Sequence, residues 1–345
     1  QMCRRPYVIF QVCMLSLSAL IVPVAYIAMP KSPQASETIS LVVFFAAFSG
    51  LLMSAFMKVM FFSKNFEMAN DAISKLESLF DEMDKNKLAH GDVSDMTSHD
   101  IDFSGVTFRY EEGVDVLTDF NLKLESGKKY ALVGSSGSGK STIAKLISGF
   151  YPVSSGELKI GGVDISKYKR ETLEHEIAFV FQNAKLFKTS IYENVKIGRP
   201  DASREEVLKA LDLAMCGSIL DKFETREDTI IGAKGVHLSG GETQRIAIAR
   251  AILKDAPIII LDEASAASDP ENEYEMQQAF SKLMEGKTVI MIAHRLSSIR
   301  NVDEILVVED GKVTERGSHD ELIVKDSKYK KLQNLYNQAN EWRLS

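Results

Sequence analysis

Three stretches of the sequence carry residues suited to handling phosphate. GSSGSGKST, residues 134–142, fits the spacing G-x-x-x-x-G-K-[ST], follows the apolar run YALVG (130–134) and precedes the helix-like TIAKLISGF. Glycines let backbone amides converge on an anion, and a helix N-terminus adds its dipole. Lys140 then reaches the outer oxygens, and the Ser141 hydroxyl is a ligand for Mg2+. In PIIILDEAS an apolar run ends in Asp262 and Glu263. A carboxylate at that place holds magnesium beside the phosphate loop, and a second one polarises an attacking water. HLSGGETQR, residues 237–245, lies between these two and holds no complete catalytic set. Its glycine pair opens a helical pattern, TQRIAIARAIL, and Ser239-x-x-Glu242 is also a capping box.

The elements that must position these residues follow from the hydrophobic pattern. The runs YALVG, IAFVF (177–181), PIIILD (257–262) and TVIMIA (288–293) predict strands buried on both faces, as in a parallel sheet between helices. IDFSGVTFRY alternates and predicts a half-exposed strand, and EILVVEDGKVTERG predicts a hairpin turning at Asp310-Gly311. Residues 1–63 differ sharply, with Glu37 as their one acidic residue. Tyr7 to Met29 and Ile39 to Met57 are uncharged stretches of about 20 residues, each long enough as a helix to span roughly 30 Å of hydrocarbon. A signal peptide fits the first poorly, because its apolar core exceeds the usual 7–15 or so residues and no A-x-A site follows. Arg4 and Arg5 before the pair and Lys58 and Lys64 after it place both ends in the cytoplasm, with the short loop carrying Lys31 outside. Residues 64–88 continue with helical spacing, and HGDVSDMTSHD (90–100) reads as a linker. The expected division is a transmembrane pair at 1–63 (helices about 7–29 and 39–62), a cytoplasmic extension at 64–97 and an α/β domain at 98–345. The net charge of −7 opposes nucleic-acid binding, and three cysteines match neither a disulfide framework nor a zinc site. The first residue, Gln1, and the immediate apolar run suggest a piece of a longer protein.

LSGGE, set between a phosphate loop and a carboxylate strand, resembles the signature of ABC-transporter ATPases. That resemblance implies an α/β P-loop NTPase domain of ABC type, with a parallel-sheet core, an antiparallel β part and a helical subdomain. A transmembrane hairpin would precede it as the last two of six helices of an exporter-type half-transporter. The resemblance further implies that Tyr110 stacks on adenine and that Gly134, Ser135, Ser136, Gly137, Ser138, Gly139, Lys140, Ser141 and Thr142 hold the ATP phosphates. It implies a catalytic set of Glu263 as base, His294 at the γ-phosphate and Gln182, with Ser141, Gln182 and Asp262 around Mg2+. Ser239, Gly240, Gly241 and Asp269 would serve across a dimer, the signature of one subunit covering ATP held by the other. ATP and Mg2+ are thus the implied cofactors. The implied partners are a second half-transporter, identical or not, the lipid bilayer and an unidentified transported substrate. The implied activity is ATP-driven export, from a multi-pass site in the cell membrane with the ATPase in the cytoplasm. An importer of metal chelates with the same architecture, or a non-transport ABC ATPase, stays open. Three positions depart from the usual pattern: Glu242 stands where Gln is common, Ser268 where Leu is usual, and Ala233 where an acidic residue is frequent.

Overall fold

The computed structural model describes residues 27, 35–85, 88–111, 113–232, 235–262, 270–293, 299 and 301–344. The chain divides into two units, 1–85 and 86–345. In the first unit, α1 (Ala35–Lys85) is one helix of 51 residues. It runs unbroken from the second apolar stretch into the amphipathic segment, with no proline to interrupt it. Among the described residues no helix is long and apolar enough to cross a membrane. The first apolar stretch, Tyr7 to Met29, lies outside the described residues apart from Ile27.

The second unit holds two sheets. The antiparallel one has the order β2-β1-β4-β5, from β1 (Ile101–Arg109), β2 (Asp115–Leu124), β4 (Ser155–Ile160) and β5 (Val163–Asp164). The other has the order β10-β9-β3-β8-β7-β6, from β3 (Lys129–Val133), β6 (Ile177–Val180), β7 (Ile258–Asp262), β8 (Thr288–Ile292), β9 (Glu304–Glu309) and β10 (Lys312–Gly317). Its strands pair in parallel except for the β9–β10 hairpin. That hairpin turns at Asp310 and Gly311, whose φ values of 46° and 71° suit a tight turn matched to strand twist.

The apolar runs lack alternation because both faces of this sheet are covered. Along β3, Ala131 and Val133 face one hydrophobic cluster, while Tyr130 and Leu132 face the other. The same division splits β7 into Ile259 and Leu261 against Ile258 and Ile260. One cluster is completed by α4 (Ile191–Lys196), α5 (Arg204–Leu213), α6 (Gly217–Leu220), α7 (Gly240–Lys254) and α8 (Pro270–Leu283). The other is completed by α2 (Lys140–Ile147), α3 (Arg170–Glu176) and the antiparallel sheet, through Phe103, Leu117, Leu122 and Ile143. Two C-terminal helices follow, the short α9 (His319–Val324) and the 17-residue α10 (Lys328–Leu344).

Candidate functional site

Register brings the chemical residues to one edge of the parallel sheet. Leu132 of β3 pairs with Ile292 of β8, and Ile292 pairs in turn with Asp262 of β7. Val180 of β6 pairs with Leu261. Gly134, Asp262, Ala293 and Phe181-Gln182 therefore lie at the ends of adjacent strands, where open α/β sheets bind their ligands.

The phosphate loop is built by backbone that side chains rarely tolerate. Gly134, Gly137 and Gly139 have φ of 148°, 82° and 103°, and a Cβ on Gly134 would lie 2.1 Å from the Val308 carbonyl oxygen. Gly139 caps α2, so the loop feeds straight into a helix N-terminus. Ser135, Ser136 and Gly137 form the exposed lip, Ser138 and Gly139 are buried, and Ser141 faces solvent beside the buried Thr142. Lys140 is only 6% exposed, and its Nζ donates to the carbonyls of Gly134 (2.9 Å) and Ser135 (2.6 Å) and to Ser138 Oγ (3.2 Å). Burial lowers the Lys140 pKa from its ordinary value, and the charge of Asp262 opposes that shift. The lysine and the strand-end carboxylate thus lie within electrostatic reach.

Tyr110 follows β1 and is 42% exposed. Its hydroxyl is 3.2 Å from Thr142 Oγ1, and its ring meets Phe108 and Tyr151 edge-on at 4.9 and 5.3 Å. Lys145 Nζ lies 5.5 Å from the same ring. Sequence spacing had singled out neither Tyr151 nor Lys145, because each depends on how α2 returns toward β1. Gln182 is exposed in the turn after β6 rather than at its end, since the strand stops at Val180.

Ser239, Gly240 and Gly241 stand at the start of α7, a separate place with no hydrogen bond to the phosphate loop among the described residues. The capping box is formed. Glu242 N–H donates to Ser239 Oγ (3.3 Å), and Ser239 N–H donates to Glu242 Oε2 (2.7 Å). Lys222 Nζ donates to the other carboxylate oxygen at 2.5 Å. Burial pushes the Glu242 carboxyl upward, but the bonds from Lys222 and Ser239 outweigh it and hold the group below its ordinary range. Gly240 and Gly241 are not at positive φ, and a Cβ on either would meet nothing within 4 Å. Among the described residues nothing requires glycine at either position.

Glu263, Asp269 and His294, with Ala233 and Ser268, lie outside the described residues. Cys216 is a buried thiol whose pKa burial pushes up to about 12.

Residues 117–266 match the ABC transporter domain family. That segment is an ABC transporter domain. The chain is 45% identical over 245 residues to the ATP-dependent lipid A-core flippase of Salmonella paratyphi A, a match covering 70% of this chain and 42% of that protein. The flippases of Pasteurella multocida (46% over 237 residues, 68% of this chain and 41% of theirs) and Legionella pneumophila strain Lens (44% over 240 residues, 70% and 41%) are similar to it as well. The matched segment spans about two fifths of the length of these relatives. An ABC-type P-loop domain with mixed sheets and helices is therefore what the second unit contains.

Proposed function

We propose that this chain is part of an exporter-type half-transporter, in which ATP binding and hydrolysis at composite sites drive a substrate across a membrane. The observation that carries this reading is the Gly240-Gly241 pair: neither backbone strain nor packing within the chain calls for glycine there. Glycine permits close approach by something outside the chain, and a helix N-terminus favours an anion. The γ-phosphate of ATP on a second subunit meets both conditions.

The residues present fit ATP with magnesium. The loop offers converging amides, a buried ammonium and the start of α2. Ser141 and Asp262 supply hard oxygen donors of the kind magnesium takes, alongside phosphate oxygens. Among the described residues no group of three or more His, Cys, Asp or Glu could hold a metal. When bound, magnesium neutralises charge developing between the outer phosphates. In this reading Lys140 would exchange its carbonyl partners for phosphate oxygens, Tyr110 would stack on the base, and Gln182 would be a further oxygen donor to the metal. Glu263 takes a proton from the attacking water, His294 contacts the γ-phosphate, and Asp269 meets the partner.

The two apolar stretches, about 7–29 and 39–62, would form the membrane-crossing pair, and residues 64–97, in which α1 continues as far as Lys85, would be the cytoplasmic extension and linker. Residues 98–345 would be the nucleotide-binding domain. The relatives' name makes an amphiphilic lipid the first substrate to try. Glu263→Gln in the complete protein should bind ATP but reduce phosphate release at least about a hundredfold. Hydrolysis at the parental rate would refute the assignment of the base.

A further inference from the structure

Glu242 places a carboxylate in the first turn of the helix that, under the reading above, must receive a partner's phosphate. Only 7% of the residue is exposed, and both of its oxygens are engaged. One accepts from the Ser239 amide, and the other accepts from Lys222, twenty residues upstream and just beyond α6. The lysine side chain is itself 58% exposed, so its ammonium lies at the solvent edge of the same turn. An unpaired carboxylate here would cancel the positive end of α7 and repel an incoming phosphate. A neutral residue at 242 would need no such partner.

We infer that Lys222 is a positioning residue for the composite ATP site: by pairing with Glu242 it keeps the N-terminus of α7 receptive to the phosphate carried by the opposing subunit. The inference rests on the proposed function. Lys222 touches no phosphate itself and acts through Glu242. The capping box engages one carboxylate oxygen, and Lys222 engages and neutralises the other. Removing the ammonium leaves a buried charge with one bond. Removing the charge as well, by Glu242→Gln, leaves an amide oxygen able to accept from Ser239 and nothing to neutralise.

The test is a double-mutant cycle on the complete, assembled protein, with ATPase rate measured against ATP concentration and ionic strength. Lys222→Met should raise the KM for ATP about fivefold, with the defect shrinking at high salt. Binding of a fluorescent nucleotide to each subunit's own phosphate loop should stay within about twofold. Adding Glu242→Gln to Lys222→Met should return KM toward the parental value. A double variant as defective as Lys222→Met, or a parental KM for Lys222→Met, would overturn the inference. So would a KM defect that salt does not change together with a lowered melting temperature, since that marks a merely structural pair. Ser239→Arg separates the two levels. If it retains activity the composite-site reading itself fails, and if it is inactive while Lys222→Met behaves as the parent, only the role of Lys222 fails.

Discussion

Replacing Gly241 by alanine should strengthen the fold of the chain and weaken its activity. Gly241 is in the first turn of α7 at a φ any residue adopts, and a Cβ there meets nothing within 4 Å. Gly→Ala at a compatible site stabilises by about 0.4–1 kcal/mol, because the unfolded chain loses freedom. In a unit of this size 1 kcal/mol moves the midpoint by about 2–4 °C, so a rise of about 1–4 °C is expected by scanning calorimetry. ATPase activity should move the other way. A methyl group at the contact face shifts the phosphate by about 1 Å, a displacement that costs on the order of a hundredfold in rate. Gly134→Ala is the contrast. With φ at 148° and a Cβ 2.1 Å from the Val308 carbonyl, it should lower stability and activity together. Parental ATPase in the Gly241→Ala protein, with the midpoint raised, would show that nothing approaches the glycine pair and would refute the reasoning.

Tyr110→Ala should raise the KM for ATP about two- to tenfold with little change in kcat, as expected for loss of one aromatic stack, and steady-state kinetics would check it. Ile260, fully buried at the middle of β7, should cost about 2–5 kcal/mol when replaced by alanine, read by chemical denaturation. The Glu242 carboxyl sits below its ordinary value of 4.5, so its contribution to stability is complete above that pH and is lost as pH falls through the lower folded value. The stability advantage of the parent over Glu242→Gln should therefore be constant from pH 7 to about 5 and vanish in more acidic solution. An advantage that persists through the acid range would contradict the pairing.

The sheet that carries the site was legible because parallel strands covered on both faces read as unbroken apolar runs, and β3, β6, β7 and β8 lie within a residue or two of those runs. The strands β2 and β4 were not read. Between Phe120 and Leu117, β2 advances three residues against two of β1 (Val106 to Phe108), which breaks its period of two, and only the second half of β4 is buried. The capping box at Ser239 was readable because it is local: four consecutive residues make it. The Lys222–Glu242 pair was not, since it depends on where the turn after α6 returns. For the same reason the aromatic neighbours of Tyr110 came only with the packing of α2 against β1. The one-edge placement of the phosphate loop and Asp262 needed the strand order, in which β8 lies between β3 and β7.

The central claim is that one chain's Ser239, Gly240 and Gly241 complete the ATP site built on another chain's Gly134–Thr142 loop. A covalent tandem of two copies tests it most directly, with Lys140→Met in one copy and Ser239→Arg in the other, assayed for ATP hydrolysis. In a head-to-tail pair both lesions fall in the same composite site and the other stays intact, so about half the parental rate should survive. Tandems carrying Lys140→Met in both copies, or Ser239→Arg in both, should be inactive. If the mixed tandem is as inactive as these two, each site is confined to one chain, and the composite site proposed here does not exist.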